Sequence, residues 1–371
     1  MAKRLRQTVL LLAAAATLAV PATAAAHTAA IRGGHVVVDG KPFFPIMQWL
    51  QCPWLFPQNA ALGVNVFLGK GCGGTSDADE LAAAESAHAF SVLPATGVAS
   101  GSSLLGWHFA DEPDMNGIRP AVIAAQYREN RRRNPTLLNF LTVTEGFAAT
   151  QRPPSWMHGS RAPYEAYARA TDLIGTDVYP IYGWCRPDWI ARVADVQRQL
   201  VRIAHGRPTF QWIEAASTSS QFCSGRGVKP TELRAEVWMA VTNGATAIGY
   251  FTHSWTGGYS QFRVAPDVQA EIRRTDAQLT RLTPAILGTP VALRTTVSGG
   301  RVDAIARRTG SKLYVFAVNV GRTTATASFA PRGLGSRRVM VVDESRTLAT
   351  ASGTFKDAFG PLGVHLYVAG E

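Results

Sequence analysis

Residues 209–214, TFQWIE, and 231–251, TELRAEVWMAVTNGATAIGYF, hold the unit on which the fold reading rests. An apolar run suits a buried strand, a loop follows, and Thr231 is placed to cap a helix through Trp238. Gly244 stops that helix, and the next apolar run, Ala247–Phe251, begins three residues later. Strand, helix, strand with short connections is the alternation that builds parallel sheets.

The same unit recurs along the chain. Strands are expected at Phe43–Gln48, Asn65–Leu68, Ser91–Leu93, Leu105–Ala110, Leu138–Val143, Leu173–Val178, Thr209–Ile213 and Ala247–Phe251. Pro120 can open a helix at its first turn, and Asn134-Pro135 closes it. Trp189, Ile190, Val193, Val196, Leu200 and Ile203 recur at helical spacing before Gly206. Eight strands alternating with helices over roughly 250 residues is the count of a (β/α)8 TIM barrel. An open doubly wound sheet has the same alternation, and counting alone does not separate the two. From about Gly288 the rhythm changes. Lys312–Val320, Arg338–Asp343 and Val364–Val368 read as strands with Gly, Thr and Pro turns between them, which predicts a small antiparallel β-sandwich. The expected division is a leader over 1–26, an α/β barrel over 30–285 and the sandwich over 288–371.

The 371 residues are 46% hydrophobic and 17% charged, which excludes a disordered chain and supplies a large core. The first thirty residues, MAKRLRQTVLLLAAAATLAVPATAAAHTAA, read as a secretory signal peptide: a basic start, an apolar run and small residues at a cleavage site near Ala24 or Ala26. Without Lys3, Arg4 and Arg6 the formal charge of +11 becomes +8. The remaining arginines are scattered, so a nucleic-acid partner is not expected. No later stretch is apolar enough to span a membrane, and no protein partner can be inferred. The protein is expected to be secreted.

Export changes how the cysteines read. Cys52, Cys72, Cys185 and Cys223 are even in number and bound for an oxidising compartment, which favours disulfides over metal ligands. Of three possible pairings, Cys52–Cys72 and Cys185–Cys223 are favoured because each staples neighbouring loops. No zinc motif occurs, and neither a metal nor a cofactor is implied.

In a barrel, reacting groups project from the C-terminal ends of strands. The fourth strand leads into Trp107-His108-Phe109-Ala110-Asp111-Glu112-Pro113, the seventh ends at Glu214, the sixth leads into Asp177-Val178-Tyr179-Pro180, and the eighth into His253-Ser254-Trp255. Two glutamates facing each other across a barrel mouth suit glycosidic bond cleavage, which needs one protonated carboxyl and one ionised. Aromatic rings nearby offer flat faces to sugar C–H surfaces. These segments resemble the clan of retaining glycoside hydrolases with (β/α)8 barrels, in particular its families 2, 5 and 42, over about residues 36–280. The resemblance implies Glu112 as acid/base, Glu214 as nucleophile, Tyr179 as the nucleophile's partner and Trp255 as the platform under the sugar. Much of that clan has asparagine before the acid/base, where this chain has Asp111.

Other residues at strand ends are expected to line the site: Gln48, Trp49 and Lys70 after the first two strands, Glu145 after the fifth, and Asp111 and Asp177 as neighbours that orient or touch ligand. Trp107 and Trp212 read as core. Gly69-Lys70-Gly71-Cys72-Gly73-Gly74 matches a dinucleotide fingerprint, but no acid for a ribose follows at the end of the next strand, and a tight βα loop is the simpler reading. The expected function is a secreted retaining glycosidase acting on a poly- or oligosaccharide. The alternative is an inactive carbohydrate-binding or cell-wall-associated barrel.

Overall fold

The eight expected strands form, and they close on one another. A computed structural model describes residues 27–95, 99–148 and 161–370; the leader read over residues 1–26 lies outside them. The barrel strands are β4 (Ile46–Trp49), β5 (Val66–Leu68), β6 (Phe90–Pro94), β7 (Leu104–His108), β8 (Leu138–Val143), β9 (Leu173–Asp177), β10 (Thr209–Glu214) and β11 (Ala247–Phe251). All pair in parallel and in sequence order. The deciding ladder is β11 on β4, with Ile248 opposite Ile46 and Tyr250 opposite Gln48. It joins the last strand to the first and excludes the open sheet.

Alternation along each strand sorts its side chains into two layers. Met47, Leu68, Val92, Leu105, Phe140, Leu173, Phe210 and Trp212 fill the barrel interior. Ile174, Ile213 and Ile248 point outward to the helices. Two glycines make room for interior rings: a Cβ on Gly175 would lie 1.9 Å from Phe210, and one on Gly249 would lie 2.1 Å from Trp212. Beneath the barrel lies a hairpin sheet absent from the expected elements, β1 (Ala29–Arg32), β2 (His35–Val38) and β3 (Lys41–Phe43). Its Ala29, Val36 and Val38 join the interior cluster. The first expected strand, Phe43–Gln48, is therefore split. Pro45 has no N–H for a ladder and separates β3 from β4.

The surrounding helices are α1 (Phe56–Ala60), α2 (Asp77–Ser86), α3 (Pro120–Arg133), α4 (Arg161–Arg169), α5 (Arg192–Ala204), α6 (Pro230–Thr242) and α7 (Pro266–Ile286). Ser76 and Asp79 form a capping box on α2, worth about 1 kcal/mol. Arg131, Arg132 and Arg133 in the last turn of α3 complement its dipole. Helix α6 starts one residue before Thr231: Pro230 takes the first helical position, and the Glu232 carboxylate accepts the Lys229 N–H at 3.1 Å.

The C-terminal strands are β12 (Thr289–Val291), β13 (Leu293–Ser298), β14 (Val302–Thr309), β15 (Lys312–Asn319), β16 (Ala325–Pro331), β17 (Val339–Val341), β18 (Arg346–Leu348), β19 (Phe355–Phe359) and β20 (Val364–Ala369). They form a six-stranded sheet and a three-stranded sheet, antiparallel throughout. Phe329, Phe355, Phe359 and Tyr367 pack between them. This sandwich rests on α6, where Trp238 stacks on Phe316 at 5.6 Å, and the Arg322 guanidinium reaches Glu232 at 2.8 Å. Both favoured disulfides are present, with Cα separations of 5.2 Å for Cys52–Cys72 and 6.0 Å for Cys185–Cys223. Among the described residues no helix is long and apolar enough to cross a membrane.

Candidate active site

After β7 the chain turns sharply through Asp111 and Glu112. Glu112 has φ 43°, a left-handed conformation that a non-glycine residue adopts at a cost. The turn holds it there. Asn116 donates its side-chain N–H to the carbonyls of Asp111 and Glu112 at 3.0 and 3.2 Å, and its backbone N–H to Glu112 at 3.0 Å. Two residues on, the Asp114 carboxylate accepts from the Thr144 hydroxyl at 2.5 Å and the Tyr164 hydroxyl at 2.8 Å. Asp114 thereby ties the turn to the chain beyond β8.

From β9, Asp177 points into the barrel mouth and hydrogen-bonds Glu112. Burial first, then the charge and hydrogen bond of Glu112 and the charge of Asp111, push Asp177 well above the ordinary carboxyl range. Asp177 therefore keeps its proton to higher pH than an ordinary aspartate. Asp111 is exposed to solvent, yet protein crowds around its carboxyl. That desolvation, with Glu112 and Asp114 nearby, raises it to about 7. Among the described residues no ion pair involves these three acids, and no group of three or more His, Cys, Asp or Glu is arranged to hold a metal ion.

The acids open into a cavity of about 200 Å³ lined by Trp49, Asp111, Glu112, Thr142, Asp177, Tyr179, Trp212 and Phe251. That is smaller than the roughly 300–1,000 Å³ of a drug-sized site, and suits one ring-sized group. Trp212 forms part of its wall, its indole N–H bonded to the Thr142 hydroxyl at 3.0 Å. Tyr179 packs against Phe251 at 4.9 Å. Burial and then the charges of Asp177, Asp111, Glu112 and Glu214 raise the Tyr179 phenol, which therefore stays protonated.

Glu214 is elsewhere. It is completely buried and does not line the cavity. Its carboxylate accepts the Ile181 N–H at 2.8 Å and the Tyr182 N–H at 2.5 Å, both in the loop after β9. Burial raises it to about 7, against the opposing effects of Glu236 and those two amides. Glu236, also fully buried, faces it from α6; burial and the Glu214 charge hold Glu236 well above its ordinary value. Tyr179 stands between this buried pair and the acids of the mouth.

Of the residues singled out in the sequence, Trp49, Asp111, Glu112, Asp177 and Tyr179 converge on the cavity. Gln48 is buried and donates to the Thr252 hydroxyl at 2.6 Å, linking the ends of the first and eighth barrel strands. Lys70 pairs with Asp77 at 2.8 Å. Glu145 is buried in a 2.8 Å ion pair with Arg192. Trp255 stands above the cavity, stacked on Phe251 at 6.2 Å. Thr142 and Phe251 join them in the lining, and Trp212 is both core and cavity wall. Inward alternation along β8, β10 and β11 was the signal for all three.

No family model matches the sequence, and no curated protein matches it. Solved structures do match, over nearly the whole chain. An α-galactosidase I from Mortierella vinacea has a TM-score of 0.53 at 10% identity, covering 89% of this chain and 98% of that one. A maltogenic α-amylase from Thermotoga neapolitana has a TM-score of 0.52 at 9% identity, covering 88% and 99%. The likeness is one of fold. It extends through the barrel and into the C-terminal β-sandwich.

Proposed function

We propose that this protein is an exported glycoside hydrolase, cleaving O-glycosidic bonds of a poly- or oligosaccharide with Glu112 and Asp177 as its reacting pair. The observation that carries this reading is the hydrogen-bonded pair of acids, Glu112 and Asp177, in a ring-sized, aromatic-walled cavity at the C-terminal mouth of the barrel. A fold of this kind hosts many chemistries, so the assignment stands on the cavity and not on the neighbours. Export is supported by the two disulfides, which persist in oxidising compartments.

The raised carboxyl of Asp177, hydrogen-bonded to Glu112, suggests the division of labour. Asp177 passes its proton to the departing glycosidic oxygen while a Glu112 oxygen attacks the anomeric carbon. The products are an alcohol and a glycosyl ester on Glu112. Asp177, now a carboxylate, takes a proton from water; the hydroxide attacks the same carbon, and Glu112 leaves as a carboxylate with overall retention. Carboxyls in contact in the empty site need to part only to about 5–5.5 Å for this route, whereas inversion needs about 6.5–9.5 Å. The role expected for Glu214 passes to Glu112 because Glu214 lies outside the cavity, with its carboxylate taken up by two amides. Its task on this reading is to hold the loop of Ile181 and Tyr182.

The sequestration of Glu214 also favours a second reading, a carbohydrate-binding barrel without turnover. Aryl glycosides of several sugars separate the two. Turnover by the native chain that falls at least a hundredfold in Glu112→Gln and Asp177→Asn, but less than tenfold in Glu214→Gln, supports the proposal. Sugar binding without turnover supports the second reading.

A further inference from the structure

Among the described residues every exposed Phe, Trp and Tyr ring lies on one side of one face. Trp54 is 72% exposed, Phe222 85%, Tyr259 57% and Trp255 43%. Single exposed apolar residues are ordinary. These four are not scattered: they lie on loops following β4, β10 and β11, three consecutive staves of the closed barrel. Two of them are continuous with the cavity: Phe251 in its wall stacks on Trp255 at 6.2 Å, and Trp255 meets Tyr259 at 5.4 Å.

The loops that carry them are stapled. Cys52, two residues before Trp54, is bonded to Cys72, and Cys223, next to Phe222, is bonded to Cys185. Gln261, in the loop of Trp255 and Tyr259, accepts the Cys52 N–H at 3.0 Å and donates to the Gly71 carbonyl at 2.6 Å. On the other side Thr256 donates to the Ser219 carbonyl at 2.9 Å, and Thr218 and Ser254 share a hydroxyl bond at 2.6 Å. Exposed rings on a braced rim can bind with little loss of conformational freedom.

We propose that this rim is the binding track for a polysaccharide chain, so that the substrate is polymeric. The proposal rests on the glycosidase reading for the polymer's being a substrate but not for its binding. A cavity with room for one ring leaves the neighbouring sugars outside it, and flat rings on the rim present faces to their C–H surfaces.

Affinity electrophoresis of the full-length Glu112→Gln protein tests this, in gels containing xylan, galactomannan, mixed-linkage β-glucan or amylose. At least one polymer should retard it. Trp54→Ala, Phe222→Ala and Tyr259→Ala combined should weaken that affinity at least tenfold, with an unchanged melting temperature. If the triple variant melts early, Phe222→Ala alone should weaken it at least twofold. No retardation by any of the four polymers, or equal retardation of native and substituted rims, overturns the proposal. Aryl glycoside turnover by the native chain is measured separately. Rim-dependent polymer binding without that turnover would leave the track standing and remove the hydrolase.

Discussion

Replacing Glu214 by glutamine should change stability in a pH-dependent way and leave turnover within tenfold of native. The carboxyl is raised from 4.5 to about 7 in the folded protein. Between those two pH values the folded chain retains a proton that the unfolded chain has released, so native stability falls as pH rises through the window. A shift of that size corresponds to about 3 kcal/mol, carried jointly with Glu236 because the two face each other. Glutamine does not titrate, so the variant lacks this loss. It has a constant cost instead, because its one oxygen serves two amides, and an amide left without an acceptor costs about 1–3 kcal/mol. At pH 4.5 the variant should therefore be less stable than native by about 1–2 kcal/mol, and at pH 8 more stable by about 1–2 kcal/mol. Thermal melts of both proteins from pH 4.5 to 8 should show the two curves crossing, with the separations at either end a few degrees. A difference in melting temperature that is the same at every pH would refute the reasoning about the buried pair. Loss of turnover with a native melt would refute the reading of Glu214 as a loop anchor.

Asp177→Asn should cut turnover of substrates with poor leaving groups by about 10²–10⁴, yet cost less than tenfold in forming the glycosyl-enzyme from activated aryl glycosides, seen as a burst of released phenol. Because burial and Glu112 raise Asp177, kcat/KM should hold well above the ordinary carboxyl range as pH increases, then fall as Asp177 loses its proton; the asparagine variant should lack that limb. Phe316→Ala should lower stability by about 3–5 kcal/mol, read by denaturant unfolding, while leaving the KM for aryl glycosides unchanged, since the ring packs on Trp238 far from the mouth.

Most of the barrel was legible because each of its eight strands is a short apolar run bounded by loop or helix signals. The closing ladder of Ile248 on Ile46 was not, since pairing between the first and last strands leaves no local mark. The hairpin at Ala29–Phe43 was not legible, because its outer segments AAIR and KPF carry a charge each and are not apolar runs. At the site, the position of Glu112 followed from its place after the fourth strand. The expected partner was Glu214, whereas the proposed one is Asp177. Glu214 and Asp177 both sit at inward positions near strand ends, and nothing local says which carboxylate the amides of Ile181 and Tyr182 will take. Those amides belong to a loop more than thirty residues upstream of Glu214, so the choice is tertiary. Gln48, Lys70 and Glu145 likewise found partners in Thr252, Asp77 and Arg192 that spacing could not predict.

The central claim, that Glu112 attacks the anomeric carbon, is open to direct chemical trapping. A fluorosugar of the configuration the protein hydrolyses, with fluorine beside the anomeric carbon and a good leaving group on it, forms the glycosyl ester but releases it slowly. Proteolysis and mass spectrometry then locate the added sugar. The account predicts the adduct on the peptide bearing Glu112, and its loss in Glu112→Gln. An adduct on the peptide bearing Glu214 would contradict it.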